Sequence, residues 1–183
     1  MIFNTEEYEL NGKKVLLRSA KEDEAEARML IDYLKTVSRE TDFLLCYPDE
    51  IKYTMEQEMA FIKDANEAKG KMLILAFVDG EYVGNCSFNR PGPGRRADHR
   101  VDVGIALFER YTGAGLGRLM MKRLLEKAKE EGFEQAELTV VEGNDRALHL
   151  YKSLGFKECG RIPNANRYDD GTYSDDIRMI IQF

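Results

Sequence analysis

The chain has 183 residues, of which 43% are hydrophobic and 33% are charged, a balance typical of one globular domain spanning residues 1–183. Its formal net charge of -6 argues against a nucleic-acid partner, because duplex binding requires clustered lysine and arginine. The N-terminal segment lacks the basic start and apolar core of a signal peptide, and the longest apolar run, Met72 to Val78, is too short to span a membrane.

Three cysteines stand far apart in the sequence, at Cys46, Cys86 and Cys159. Their odd number and wide spacing fit neither a disulfide framework nor a metal site. Free thiols are typical of a reducing compartment, so we expect a cytoplasmic protein with no structural metal and no membrane partner.

The first part of the chain is predicted to hold one strand and two helices. Lys14 to Ser19 is typical of a strand, and Glu22 to Ser38 carries apolar residues at helical spacing. A capping box at Thr54 to Gln57 opens a second helix that extends to about Ala68. The connecting segment Thr41 to Tyr47 is unusually apolar for a loop, so we expect it to cover or line a site.

A β-hairpin is predicted next. The apolar runs Met72 to Val78 and Glu81 to Phe88 are joined by Asp79-Gly80, a strong hairpin signal because the turn requires positive φ angles. Pro91 to Gly94 is interpreted as a surface loop inside the same domain. Val101 to Leu107 then alternates as another strand.

The second half of the chain alternates helices with strands. Leu116 to Glu131 is predicted as a helix, Phe133 to Val141 as a strand, and Asn144 to Leu154 as a short capped helix. Two last strands are predicted around Phe156 to Ile162 and Ser174 to Gln182. The predicted order is therefore β-α-α-β-β-β-α-β-α-β-β, an α/β domain.

A glycine-rich turn, Arg110 to Arg118, stands between a predicted strand and a predicted helix. Glycines let the backbone approach a ligand, and the free amides and dipole of the helix start favour an anion such as a pyrophosphate. The P-loop and the dinucleotide fingerprint are excluded, because Arg118 and Leu119 stand where those motifs need Lys and Ser or Thr, or a third glycine. The alternative is a tight turn without a ligand.

Two motifs in this half resemble the GNAT superfamily of N-acetyltransferases. The sequence R-x-x-G-x-G from Arg110 resembles its acyl-coenzyme A signature, and Leu138 to Phe156 resembles its motif L-x-V-x-x-x-N-x-x-A-x-x-L-Y-x-x-x-G-F. The resemblance extends to the order of elements along nearly the whole chain. It implies a mixed, mostly antiparallel central sheet with helices on both faces, and acetyl-coenzyme A as co-substrate without a metal.

The resemblance also implies which residues bind the coenzyme. The strand before the turn is expected to splay from its neighbour and to bind the pantetheine arm through its backbone. The implied pyrophosphate and pantetheine residues are Thr112, Gly113, Ala114, Gly115, Leu116, Gly117 and Arg118 on the turn, and Ile105, Ala106 and Leu107 on the strand. Arg110 is either a phosphate contact or a cation that braces the loop.

Two further residues are implied by the second motif. Asn144 caps its helix, which follows from the sequence alone, and by resemblance also bonds the coenzyme arm. Tyr151 corresponds to the residue that protonates the leaving thiolate, and its alternative is a core aromatic at helical spacing. Relatives that modify ribosomal proteins carry a glutamate base where this chain has Thr139. The base stays open among His99, Asp102 and Glu142.

The acceptor is expected to be the primary amine of a small molecule or an amino acid. The ending Tyr173 to Met179 resembles the Y-x-D-x-x-x-M close of relatives that acetylate amino acids, small amines or protein ends. Glu40, Asp42, Phe43 and Tyr47 are candidate contacts to a cationic acceptor, or else an ordinary loop with a hydrophobic plug. Acetylation of a protein N-terminus or lysine and a non-catalytic acyl-coenzyme A-binding module are the alternatives. The oligomeric state is open, a homodimer included.

Overall fold

The structure is a computed structural model that describes residues 1–92 and 94–183. Its strands are β1 (Glu6–Leu10), β2 (Lys13–Arg18), β3 (Lys71–Val78), β4 (Glu81–Asn89), β5 (Arg100–Leu107), β6 (Gln135–Val141), β7 (Lys157–Arg167) and β8 (Tyr173–Gln182). Its α-helices are α1 (Glu24–Glu40), α2 (Met55–Glu67), α3 (Leu116–Glu130) and α4 (Asp145–Ser153). In the predicted loop Pro91 to Gly94, Pro93 lies outside the described residues.

The strands form one eight-stranded sheet in the order β1-β2-β3-β4-β5-β6-β8-β7. Every neighbouring pair is antiparallel except β5 and β6, which run parallel. The hairpin predicted at Asp79-Gly80 joins β3 to β4, with φ angles of 50° and 87° at its two turn residues. The predicted mixed, mostly antiparallel sheet is therefore confirmed.

Helices cover both faces of this sheet, as predicted. Helix α3 buries Met120 and Leu124 in a core that it shares with Val101 of β5. Helices α1 and α2 enclose a separate core on the opposite face, which contains Tyr33 and Leu75. Both cores form because apolar side chains recur every three or four residues along each helix and every second residue along each strand.

The predicted order of elements lacks the first strand. Glu6–Leu10 pairs with Lys13–Arg18 across a turn at Asn11 and Gly12, whose φ angles are 53° and 75°. This edge strand was missed because its residues are mostly charged, with an apolar side chain at every second position at most. The dipeptide Asn-Gly was the available signal, since it is strongly favoured in two-residue hairpin turns.

The predicted strand Phe156 to Ile162 also proves too short. Strand β7 continues to Arg167 through an irregularity in its pairing with β8 between Ile162 and Asn166. Pro163 and Asn164, the latter with a φ angle of 52°, suggest a turn in the sequence. In the structure they form a bulge within an edge strand, where a proline is tolerated.

The structure gives the state of the three cysteines and the character of the helices. Cys46 and Cys159 are exposed, Cys86 is buried, and all three thiols are free. Within residues 1–92 and 94–183, no group of three or more His, Cys, Asp and Glu side chains has the arrangement to hold a metal ion. None of the helices in the described part of the chain has the length and apolar character needed to cross a bilayer.

Candidate active site

The parallel strands β5 and β6 form a fork. Their pairing covers Arg100–Asp102 opposite Gln135–Glu137, although β5 continues to Leu107 and β6 to Val141. Beyond Asp102 the two strands part, so each has a stretch of backbone without its neighbour. The predicted splay of β5 from its neighbour is present.

Backbone groups of β5 alternate between the two neighbouring strands. The His99 carbonyl accepts from the amides of Glu134 and Gln135, at 2.8 and 3.3 Å. The backbone N–H and C=O groups of odd-numbered residues in β5 therefore point towards β6. The Phe108 amide donates to the Val83 carbonyl of β4 at 3.0 Å, so the backbone groups of even-numbered residues point towards β4.

Ile105 and Leu107 therefore direct their amides and carbonyls into the fork. The Ala106 carbonyl faces away and accepts from the Tyr33 hydroxyl at 2.6 Å. Of the three strand residues implied in pantetheine binding, two have the orientation that a backbone contact requires.

The glycine-rich turn leads into α3, whose first amides have no acceptor among the described residues. Gly113 and Gly115 have φ angles of 78° and 88°, a left-handed conformation that glycine adopts without strain. Gly115 is the N-cap of α3 and provides no side-chain cap. No acceptor among the described residues takes the amides of Leu116, Gly117 and Arg118, the first three of the helix. The turn therefore has the features of an anion site.

The turn, the fork and α4 meet at Gly117. A methyl group at Gly117 would lie 3.6 Å from Leu150 of α4 and 3.7 Å from the side chains of Ile105 and Leu107. The sequence placed these residues in two separate motifs, and the fold brings both motifs to one point.

Two polar groups at the start of the turn are engaged within the protein. The Arg110 guanidinium forms an ion pair with Glu81 and lies 4.7 Å from the centre of the Phe108 ring, so Arg110 braces the loop. This pairing raises the pKa of Arg110. The Thr112 amide donates to the Glu109 carbonyl at 3.0 Å. Arg110 therefore has the loop-bracing role, one of the two alternatives that the sequence left open, and the Thr112 amide is not directed at the helix start.

Two arginines flank the turn. Arg118 is exposed and donates to the Ser153 hydroxyl at 3.2 Å. Arg146, two residues after Asn144, donates to the Thr112 hydroxyl at the other side of the turn. Sequence reasoning missed Arg146, and its place on the exposed first turn of α4 was the available signal. Both cations complement the charge of a phosphate.

Asn144 caps α4 as predicted. Its Oδ1 accepts from the Ala147 amide at 3.2 Å. Its side-chain amide has no acceptor in the described part of the chain, so that donor is available to a ligand. The neighbouring Gly143 lies under the α1–α2 loop, because a methyl group there would be 3.9 Å from the Phe43 ring.

Tyr151 is a core residue by packing. Its side chain is 7% exposed, and its ring meets the Phe156 ring edge-on with 5.8 Å between centroids. Burial raises the pKa of the Tyr151 hydroxyl to about 12. The hydroxyl makes no hydrogen bond to any described residue, so it is an uncommitted donor at neutral pH.

Asp102 lies at the branch point of the fork. It is opposite Glu137 in the last paired position of the two strands, and it points away from the core that holds Val101 and Val103. Burial raises the pKa of its carboxyl, and the nearby charge of Glu137 raises it further. The positive charges of Arg100 and Arg178 lower the pKa of Asp102 and so oppose these two effects.

The other two base candidates are less well placed. His99 precedes β5 at the closed end of the fork and is exposed. Glu142 is exposed and forms an ion pair with Arg161. Thr139 is on β6 beyond the branch point, on the same face as Asp102, because its neighbours Leu138 and Val140 are in the opposite core. Of the three candidates, Asp102 is thus the one that is a half-buried carboxylate at the fork.

A cavity of about 220 Å³ lies between the α1–α2 loop and the end of β7. Asp42 and Tyr47 line it, as the sequence predicted for this loop. The Tyr47 hydroxyl also accepts from the Asp169 amide at 3.0 Å, which ties the loop to the β7–β8 hairpin. Glu40 is not among the residues that line the cavity, and its carboxylate accepts from the Glu109 amide at 2.8 Å.

The segment Tyr173 to Met179 has a structural role. Met179 is fully buried, and Tyr173 is exposed. The Asp175 carboxylate accepts from the Asn164 amide at 2.9 Å and pairs with Arg161. These contacts lower the pKa of Asp175, with the amide as the larger cause, and they hold the β7 bulge in place.

Solved structures resemble this chain along almost its whole length. A crystal structure of a GNAT-family acetyltransferase from Streptococcus pneumoniae has a TM-score of 0.86 and 29% identity, covering 92% of this chain and 99% of that one. A protein from Salmonella typhimurium, solved with its cofactor acetyl-CoA, has a TM-score of 0.79 and 19% identity over 92% of this chain and 93% of that one. The second likeness concerns the fold alone.

Comparisons of amino-acid sequence agree with the comparisons of structure. The L-amino acid N-acyltransferase MnaT of Escherichia coli is 28% identical over 103 residues, which are 55% of this chain and 58% of that protein. The alignment thus spans less than two thirds of the curated relative. Residues 28–156 match the model of the acetyltransferase (GNAT) family. Because this match includes the fork, the glycine-rich turn and α4, the chain belongs to the acetyltransferase (GNAT) family.

Proposed function

We propose that this protein transfers the acetyl group of acetyl-coenzyme A to the primary amine of a small molecule or an amino acid by direct attack. The observation that carries the proposal is the meeting, at Gly117, of an open strand fork and a helix start with uncommitted amides. Family membership and the named activity of relatives such as MnaT support the same reaction.

The residues present fit a coenzyme A thioester. The amides of Leu116, Gly117 and Arg118 suit the pyrophosphate, and the space beside the left-handed Gly113 is open, because a methyl group there would have no protein atom within 4 Å. Backbone groups of Ile105 and Leu107 suit the amides of the pantetheine arm. When bound, acetyl-coenzyme A supplies an activated acyl group.

The protein must then remove a proton from the acceptor. An alkyl ammonium has a pKa of about 10.4, so roughly one molecule in a few thousand is a neutral nucleophile at pH 7, a deficit of about 4.6 kcal/mol. Asp102, with its raised pKa and its place at the branch point, accepts this proton directly or through water.

Tyr151 acts on the leaving sulfur. Its pKa of about 12 exceeds that of an alkyl thiol, about 8.5, so the hydroxyl keeps its proton and stabilises the thiolate by donating a hydrogen bond. The departing thiol needs little protonation, because thiolates of that pKa are good leaving groups.

Gly115→Ala is expected to weaken coenzyme binding about tenfold. The new Cβ strains the left-handed N-cap by about 1 kcal/mol, and relaxation of that strain turns the first amides of α3 away from the anion. Calorimetry with coenzyme A measures the loss. Gly132→Ala is the matched control, since Gly132 has a φ angle of 87° and open space at the far end of the same helix. Equal affinity in both variants would refute this pyrophosphate site.

The proposed reaction is tested by thiol release from acetyl-coenzyme A. The acceptors are amino acids, polyamines, aminoglycosides and peptides, each with product mass measured. We expect release that depends on the acceptor and yields a product heavier by one acetyl group. Tight coenzyme binding without release on any acceptor would favour a binding module instead.

A further inference from the structure

The cavity between the α1–α2 loop and β7 has opposite charges on its two sides. Asp42 lies on the loop and Arg167 at the end of β7, and both are exposed lining residues. Neither forms an ion pair with another described residue. Arg161 on the same strand contrasts with Arg167, because it is paired with both Glu142 and Asp175. The cavity thus presents one uncommitted cation and one uncommitted anion.

Ser38 adds a third polar group. Ser38, on the last turns of α1, is among the lining residues and is 8% exposed. Its hydroxyl is buried and has no hydrogen-bond partner among the described residues. Most buried hydroxyls in proteins are hydrogen-bonded, so the Ser38 hydroxyl is a free donor for a ligand atom that reaches it.

We propose that this cavity binds the acceptor as a free α-amino acid, with the carboxylate on Arg167 and the Ser38 hydroxyl and the ammonium group attracted by Asp42. This inference rests on the proposed function. An arginine guanidinium binds a carboxylate through two parallel hydrogen bonds, which gives orientation as well as affinity. A free amino acid carries both a carboxylate and an ammonium group, so it complements the charges on both sides of the cavity.

The same charges disfavour the other acceptor classes. A polyamine or an aminoglycoside brings several cations and no anion to Arg167, and like charges at a binding site reduce affinity. The N-terminus of a peptide has an amide where a free amino acid has its carboxylate. The cavity volume of about 220 Å³ is below the usual range for larger ligands, about 300 to 1,000 Å³.

The binding test uses calorimetry with coenzyme A present, so that it does not depend on acetyl transfer. Each of the twenty standard L-amino acids is titrated, and the tightest is compared with its α-amide and its decarboxylated amine. We expect that amino acid to bind at least tenfold more tightly than both analogues. The inference is overturned if none of the twenty binds, or if either analogue binds equally well.

Variants identify the groups responsible. Arg167→Gln should abolish the preference for the acid over its amide, whereas Lys157→Gln, a matched neutralisation of an exposed residue on the same strand, should preserve it. Ser38→Ala should weaken amino-acid binding while raising the melting temperature, because it removes an unsatisfied buried hydroxyl. An unchanged preference in Arg167→Gln refutes the carboxylate site. Acetylation of decarboxylated amines as fast as of amino acids would refute it while leaving the proposed reaction intact.

Discussion

Asp102→Asn is expected to lower kcat by about 10²- to 10⁴-fold, the usual contribution of a positioned base. Asparagine keeps the size of the side chain at the branch point and removes its ability to accept the proton of the acceptor. Steady-state kinetics on the best acceptor measures the loss, with the KM for acetyl-coenzyme A expected to change little. Asp98→Asn is the matched control, because Asp98 precedes β5 and pairs with Arg90 outside the fork.

The pH profile distinguishes a base from a structural carboxylate. Asp102 must be ionised to act, so kcat/KM should fall as the pH falls through its raised pKa. Glu137→Gln removes a charge that raises this pKa and releases Arg100 from its ion pair, and both effects lower the pKa. The acidic limb of the profile should therefore move to lower pH in Glu137→Gln. A limb that stays in place would show that another group titrates.

Stability should respond in the opposite direction to activity. A carboxyl whose pKa is higher in the folded than in the unfolded state makes the fold less stable as the pH rises through that pKa. At neutral pH the ionised Asp102 therefore destabilises the folded state, and Asp102→Asn should melt at the same or a higher temperature than the parent. A large loss of stability would mean that the drop in kcat reports unfolding.

Short-range patterns in the sequence predicted the local conformations at the candidate site. The glycine-rich turn and the Asn144 cap depend on residues that are neighbours in the chain, and both appear as expected. The charged strand β1 and the bulge after Ile162 were missed because edge strands tolerate residues that interior strands exclude.

The proposal of Asp102 as the base required the fold. His99, Asp102 and Glu142 are equivalent candidates in the sequence, since each is a polar residue near a predicted strand. The register of β5 on β6 puts Asp102 at the branch point, and the ion pair with Arg161 occupies Glu142. Pairing between strands that are distant in sequence, and contacts with β7, determine both facts. Residue patterns alone do not contain them.

Tyr151→Phe is expected to lower kcat by about 10²-fold or less while coenzyme affinity stays nearly constant. The change removes the hydroxyl and keeps the ring that packs on Phe156, so the core should lose little stability. The effect is at the low end of the usual range because the thiolate leaves readily, and the hydroxyl contributes a hydrogen bond instead of a proton. Tyr53→Phe, at an exposed tyrosine, is the matched control.

The pH dependence of this variant distinguishes proton transfer by Tyr151 from hydrogen-bond donation to the leaving thiolate. Full proton transfer from a hydroxyl of pKa about 12 to a thiolate of pKa about 8.5 would be uphill by about 4.8 kcal/mol. A hydrogen-bond donor of that pKa stays protonated throughout the working range, so the profiles of parent and variant should have the same shape and differ by a constant factor. A basic limb near pH 8 that disappears in Tyr151→Phe would indicate a general acid with a much lower pKa. A normal kcat would mean that Tyr151 serves the core alone.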